Sequence, residues 1–308
     1  MEKVIVTPRS LSKEGHPLLD RIREAGYEII FPSPGLQPST VQLAYCIGEA
    51  AGYLAGVEKI DAALLGAAIH LRVISRNGTG IDNIDIEKAK AMGIVVRKAE
   101  GANARGVAEL AFGHILSAAR GIPFASAELK AGRWTRKKGF ELEGKTLGVV
   151  GCGKIGTLVS SFALAFGMKV LAYDPYPDAG FHPSPLFAYE ALESVLADSD
   201  IVSLHCPPRE DGKPVLDPQK LGLMRRGAIL VNTARESLVD KEALLAALDS
   251  GAIAVYTVDA FDAEPPEDEE IQRHPAVIAT PHVGGFTDES IDRATKAAID
   301  NLLEELAT

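Results

Sequence analysis

A chain of 308 residues is long enough for two domains, and a hydrophobic share of 46% suits substantial cores. The formal net charge of −10 argues against nucleic acid as a partner, because phosphate binding needs basic surface, but it leaves small anionic substrates open. Cys46, Cys152 and Cys206 show neither metal spacing nor a disulfide framework, no apolar run reaches bilayer-spanning length, and Met1 leads straight into a strand pattern without a signal peptide, so a cytoplasmic protein that engages no membrane is expected.

The first hundred residues predict short strands at 4–6, 28–31, 53–55, 71–74 and 95–96. Helices are expected at 17–25, 41–48 and 86–92, with Gly93 capping the last. Such alternation favours a parallel sheet covered by helices. Pro32, Pro34 and Pro38 mark a loop. A long helix is predicted from Asn103 to Ala119, with Val107, Leu110, Ala111, His114 and Ile115 on one stripe and Gly121 and Pro123 ending it. It precedes the second unit and is the candidate link between domains.

The second unit opens on an apolar run, 147–150, followed by Gly151-Cys152-Gly153-Lys154-Ile155-Gly156. Ile155, Leu158, Val159, Phe162 and Phe166 then share a helical face, and Gly167 supplies a stop. A second strand, 170–173, ends at Asp174, 23 residues after Gly151. This is the strand-helix-strand dinucleotide fingerprint. The first glycine allows a tight turn, the second lets backbone approach a pyrophosphate, and the third lets helix and strand pack closely. An acid after the second strand accepts hydrogen bonds from a ribose diol and repels a 2′-phosphate, which favours NAD over NADP.

Further strands are expected at 201–204, 228–231, 253–258 and 277–279, and a final helix at 290–306. Ile291, Ala294, Ala298, Ile299 and Leu302 form the apolar face of that helix. The acidic stretch Glu267-Asp268-Glu269-Glu270 reads as a solvated loop. Arg235, Glu264 and His282 each stand shortly after a strand of this unit, and strand ends on one sheet edge converge on a ligand crevice. Imidazole gives or takes a proton near neutrality, a glutamate orients it, and arginine grips a carboxylate and polarises a carbonyl. Taken singly, Arg235 reads as surface charge, Glu264 as turn chemistry beside Pro265-Pro266, and His282 as a strand-end hydrogen bond. Their shared placement favours the chemical reading. Asp259, also at a strand end, either accepts from a cofactor amide or caps a turn.

Several motifs in order resemble one family. They are Arg76-Asn77-Gly78-Thr79-Gly80-Ile81-Asp82-Asn83-Ile84-Asp85, Val107-Ala108-Glu109-Leu110, Gly132-Arg133-Trp134-Thr135-Arg136-Lys137-Lys138 and Gly144-Lys145-Thr146-Leu147-Gly148. Beyond the fingerprint come Asn232-Thr233-Ala234-Arg235, Asp259-Ala260-Phe261-Asp262-Ala263-Glu264-Pro265 and Thr280-Pro281-His282-Val283-Gly284-Gly285. Over nearly its whole length the chain resembles the D-isomer-specific 2-hydroxyacid dehydrogenases, and most closely their phosphoglycerate dehydrogenase branch. The resemblance implies an α/β protein of two Rossmann-like domains with a cleft between them. The flavodoxin-like substrate domain would take 1–98 plus 286–308, and the NAD-binding Rossmann domain 99–285. It implies Arg235, Glu264 and His282 as catalytic residues, and Arg76, Asn77, Gly78 and Thr79 as the substrate loop. Implied cofactor contacts are Gly151, Gly153, Lys154, Ile155, Gly156, Asp174, Cys206, Thr233, Ala234, Asp259 and Gly284. It further implies a homodimer formed around 104–134 and no metal.

The expected reaction is hydride transfer between NAD and C2 of a small D-2-hydroxy acid or its 2-keto acid. 3-Phosphoglycerate ranks first, ahead of glyoxylate and hydroxypyruvate. An NAD-responsive binding protein, like the corepressors that resemble these enzymes, is the rival reading. Two departures bear on the substrate. Tyr53-Leu54-Ala55-Gly56-Val57 carries no arginine where the phosphoglycerate branch has one, leaving Arg76, Arg136, Lys137 and Lys138 as phosphate partners or plain surface charge. No regulatory domain is expected after Thr308.

Overall fold

Two parallel sheets organise the computed structural model, which describes residues 1–266 and 270–308. Most of the expected acidic loop, 267–269, lies outside the described residues. The chain divides into two units, Met1–Asn103 with Thr287–Thr308, and Ala104–Phe286.

In the first unit the strands are β1 (Lys3–Val6), β2 (Glu28–Ile30), β3 (Ala50–Ala55), β4 (Val73–Arg76) and β5 (Val95–Lys98). They pair in parallel in the order β2-β1-β3-β4-β5, the flavodoxin-like order, whose switch point lies between β1 and β3. Helices α1 (Arg9–Ser12), α2 (Asp20–Glu24), α3 (Thr40–Ile47), α4 (Ala62–Gly66) and α5 (Ile86–Ala91) connect them. Ser39 and Gln42 form a reciprocal capping box for α3, while Asp61 and Asp85 cap α4 and α5. The strand expected at 71–74 starts two residues later and extends through Ser75 and Arg76. Ser75 is buried because its hydroxyl donates to the Ala298 carbonyl at 2.7 Å, so a polar residue interrupts the apolar run that marked the strand.

That carbonyl belongs to the closing helix, Asp288–Leu306, which packs on this sheet. The Thr287 hydroxyl caps the helix by accepting from Ser290 N, and Asp288 and Glu289 complement its positive end. Ala294, Ala298, Ile299, Leu302 and Leu306 are buried with Val4, Val6, Leu54 and Val73. Gly52 permits this contact, since a Cβ there would stand 3.0 Å from Leu302 Cδ1 and Leu306 Cδ1. Truncating Leu302 to alanine would cost about 2–5 kcal/mol.

In the second unit the strands are β6 (Thr146–Val150), β7 (Lys169–Tyr173), β8 (Phe187–Tyr189), β9 (Ile201–Leu204), β10 (Ala228–Asn232), β11 (Ile253–Val258) and β12 (Val277–Ala279). All are parallel, in the order β12-β11-β10-β9-β6-β7-β8, so the doubly wound order reverses between β6 and β9. Its helices are α6 (Ala104–Arg120), α7 (Ile122–Lys130), α8 (Lys154–Ala165), α9 (Leu192–Asp198), α10 (Pro218–Leu221), α11 (Lys241–Asp249) and α12 (Glu270–Arg273). Phe112 of α6 packs edge-on to Phe162 of α8 at 5.9 Å between ring centroids. Gly121 ends α6 with φ +60°, but Pro123 does not prevent a new helix. It falls in the first turn of α7, where its missing N–H costs nothing. No side chain of α7 is buried in the chain, and Trp134 beyond it is 83% exposed.

Candidate active site

The glycine loop closes on itself as its sequence predicts. Gly151 has φ +92°, and a Cβ there would stand 2.6 Å from the Cys206 amide nitrogen. A Cβ on Gly156 would stand 2.1 Å from the Gly151 carbonyl oxygen. A Cβ on Gly153 would meet nothing within 4 Å, so this face of the loop is open. No side chain caps α8, whose first N–H groups and positive end are thus available to an anion. Asp174, after β7, accepts from Cys152 N and Tyr176 N at 2.8 Å each, one bond per carboxylate oxygen. Each oxygen keeps a lone pair for a ribose hydroxyl. Lys154 is exposed, and Ile155 packs against the core beneath the loop.

The same sheet edge carries Cys206, Thr233 and Ala234, which the resemblance implies as cofactor contacts, and one group that sequence reading did not single out, His205. His205, after β9, shares a 2.9 Å hydrogen bond with the Ser203 hydroxyl through Nε2, while its Nδ1 is buried without a partner. Burial pushes His205 down to about 3, so it is neutral. Cys206 beside it is an unreactive lining residue, its thiol pushed up to about 11 by burial. Thr233 Oγ1, after β10, is likewise buried and unpartnered, and Ala234 N donates to Asn232 Oδ1 at 3.1 Å. Orphaned polar atoms beside an open glycine loop are what a bound dinucleotide would satisfy, so these residues fit NAD.

His282, Glu264 and Arg235 follow three adjacent strands, β12, β11 and β10. His282 Nδ1 lies 2.6 Å from Glu264 Oε1, which also accepts from Phe261 N at 3.2 Å. Partial burial pushes the Glu264 carboxyl up, but the His282 hydrogen bond and charge, the Phe261 amide and the Arg235 charge outweigh it and hold the carboxyl below the usual range. The ionised Glu264 therefore orients the imidazole and leaves Nε2 for a ligand. Arg235 is half-buried and opens a 3-10 turn, Glu236–Leu238, while its Nη1 donates to the Ala234 carbonyl at 2.7 Å. His282 has φ +50°. Asp259, 1% exposed, accepts from Val283 N and Gly284 N at 2.9 Å and from the Thr280 hydroxyl at 2.6 Å.

The remaining expected residues lie in the first unit. Their loop follows β4, with Asn77 N donating to the Ala55 carbonyl at 2.9 Å and Thr79 Oγ1 to Asn103 Oδ1 at 3.3 Å. Gly78 takes φ +155°, Arg76 Nη1 donates to the Asn77 carbonyl at 2.5 Å, and Asn77 Oδ1 is buried without a partner. At the switch point between β1 and β3 sits Glu58, 2% exposed. Its Oε1 accepts from the Tyr53 hydroxyl at 2.8 Å, from Gly56 N at 2.9 Å and from the Thr7 hydroxyl. A glutamate in a turn carries no periodic signal, so sequence reading passed it over. Among the described residues no cluster suited to a metal ion occurs, and no helix is long and apolar enough to cross a membrane.

Residues 112–284 match the family model for the NAD-binding domain of D-isomer specific 2-hydroxyacid dehydrogenases. Hydroxypyruvate reductase of Thermotoga maritima is 42% identical over 254 residues, 80% of this chain and 82% of the relative. D-3-Phosphoglycerate dehydrogenase of Methanocaldococcus jannaschii is 41% identical over 80% of this chain, but the match spans only 47% of that longer protein. Among solved structures, the TT0316 protein of Thermus thermophilus superposes with TM-score 0.88 at 35% identity, covering 99% of this chain and 97% of the other. D-Lactate dehydrogenase of Aquifex aeolicus, complexed with NAD and lactic acid, superposes with TM-score 0.82 at 27% identity over 98% and 97%. The chain belongs to the D-isomer-specific 2-hydroxyacid dehydrogenase family, and its cofactor is NAD.

Proposed function

We propose that this NAD-dependent D-2-hydroxyacid dehydrogenase interconverts a short unphosphorylated 2-keto acid, such as hydroxypyruvate or glyoxylate, with its D-2-hydroxy acid. The 2.6 Å contact between His282 Nδ1 and Glu264 Oε1 carries the reading, because it turns Nε2 into a directed proton carrier. NAD supplies the hydride acceptor or donor for the substrate's C2. In oxidation, His282 Nε2 takes the hydroxyl proton as the carbonyl forms. In reduction, it returns that proton to the carbonyl oxygen. Glu264 steadies the imidazolium in both directions. Arg235 grips the substrate carboxylate.

Sequence alone ranks 3-phosphoglycerate first, and Glu58 reverses that order. The turn after β3 buries the Glu58 carboxylate at the switch point of the first sheet, where a phosphate would need positive charge, while the cation of that turn, Lys59, is exposed. The relatives' names run to both substrates. The unit 1–103 with 287–308, five residues longer at its first boundary than the sequence implies, acts as the substrate domain, 104–286 acts as the cofactor domain, and the protein works in the cytoplasm. The exposed Ile122, Phe124, Leu129 and Trp134 support a homodimer formed through the second unit, which sedimentation at micromolar concentration tests. The deciding experiment follows NADH consumption with hydroxypyruvate, glyoxylate, pyruvate and 3-phosphohydroxypyruvate. A clear preference for the phosphorylated acid would reject the substrate assignment, and no turnover of any would reject the enzyme.

A further inference from the structure

We propose that His114, buried in the middle of α6, is a positioning residue that holds the His282 loop in its working shape through Thr280 and Asp259. The inference rests on the reading of His282 as the proton carrier. His282 occupies the left-handed region at φ +50°, which a residue with a Cβ holds only when its surroundings fix it. The fixing contacts flank it on both sides. His282 N donates to the Thr280 carbonyl at 3.0 Å, and the next two amides, Val283 N and Gly284 N, donate to Asp259 at 2.9 Å each.

The Thr280 hydroxyl gives its one proton to Asp259 Oδ1 at 2.6 Å. It can then only accept from its other neighbour, His114 Nε2, at 3.1 Å. His114 must therefore carry its proton on Nε2. Burial pushes His114 below the ordinary imidazole value, against a smaller upward pull from the Asp259 charge, so the ring is a neutral donor. Two further contacts tie the same helix to the loop. A Cβ on Gly284 would stand 3.3 Å from Val107 Cγ2 and 3.5 Å from Leu110 Cδ2, so α6 forms the floor under the loop as well as its hydrogen-bond anchor. A core histidine satisfied for its own sake would end on a backbone carbonyl. This one ends on the amides beside the proton carrier.

The test combines kinetics with nitrogen NMR of the protein without substrate. His114→Leu should lower kcat about tenfold with substrate KM changed less than twofold, because a small displacement of the acid-base group is felt in the chemical step. His114→Gln, which restores an N–H donor, should recover most of the loss. Thr280→Val cuts the relay, so adding His114→Leu to it should cost nothing more. Imidazole nitrogen shifts should show His114 locked as the Nε2–H tautomer in the parent and released in Thr280→Val. Unchanged kcat in Thr280→Val, multiplying effects in the double variant, or an Nδ1–H tautomer in the parent would each overturn the proposal. If His114→Leu does not fold, the Gln and Val variants and the tautomer decide alone. Full activity in His282→Ala would instead reject the catalytic reading and leave the relay readouts standing.

Discussion

Nδ1 of His282 and Oε1 of Glu264 meet at 2.6 Å across the ends of two neighbouring parallel strands. The pair faces solvent, with side chains 40% and 31% exposed, so a ligand can reach it. Arg235 approaches from the third strand in line and lowers the Glu264 carboxyl further. One sheet edge thus supplies a fixed cation, a proton carrier and the anion that orients it.

Removing the proton carrier should be more damaging than removing its orienter. His282→Asn is expected to lower kcat by about 10²–10⁴, the usual worth of a general acid-base group. Glu264→Gln keeps the shape and loses the charge, and should lower kcat by about 10–10². The Glu264 carboxyl is held below its ordinary value in the folded chain, so the pair's contribution is complete above the unfolded carboxylate value of 4.5 and fades as pH falls through the lower folded one. Thermal stability followed from pH 6 to pH 3 should therefore fall less steeply in Glu264→Gln than in the parent. Parallel curves would show that the charge of Glu264 matters little.

His205 sets a second, separate acid dependence. It is held down to about 3 in the folded chain, whereas a free histidine takes a proton near 6.5. Between those values the unfolded chain binds the extra proton, so stability is full above 6.5 and declines as pH falls toward 3. His205→Gln keeps a partner for Ser203 and cannot titrate in this range. Its melting temperature should change less between pH 7 and pH 5 than that of the parent, and an equal drop in both would remove His205 from the account.

The central strands of the cofactor unit, β6, β9 and β10, were legible because they are largely apolar runs buried on both faces, and its glycine loop because three glycines each answer a distinct steric demand. Arg235, Glu264 and His282 were legible as strand-end residues, but their distances were not, since parallel strands bring together residues far apart in sequence. The helices α1, α4 and α10 went unseen, having too few turns to show a period. Glu58 went unseen, and His114 was placed on the apolar stripe of α6 without its polar contact, for another reason. Each is a polar residue inside a core, and only the donors and acceptors around it, drawn from distant segments, explain its presence.

The second and third glycines of the loop should fail in opposite ways. Gly153→Ala points a methyl into open space with φ −80°, so melting temperature should hold while NADH affinity drops about tenfold as the methyl meets the pyrophosphate. Gly156→Ala drives a methyl into the Gly151 carbonyl, so the strand and helix must separate and stability should fall by about 1–3 kcal/mol. Calorimetry of NADH binding with thermal melts distinguishes them. Equal destabilisation by both would mean that the face beside Gly153 is closed.

Glu58 gives the sharpest contrast between charge and shape. Burial first, and then the Glu58 charge, push the Tyr53 phenol well above its ordinary value, so the hydroxyl stays a donor. Glu58→Ala strands the Tyr53 hydroxyl, while Gly56 N keeps Thr7 Oγ1 and the Thr7 hydroxyl keeps the Leu54 carbonyl, and should cost about 1–3 kcal/mol. Glu58→Gln keeps an acceptor oxygen, so it should cost less, and it removes the negative charge from the switch point. The ratio of kcat/KM for 3-phosphohydroxypyruvate over hydroxypyruvate should then rise about tenfold, as one like charge is withdrawn from a partly buried site. A ratio unchanged in Glu58→Gln, with stability retained, would mean that this carboxylate only braces the turn and that substrate choice is made elsewhere.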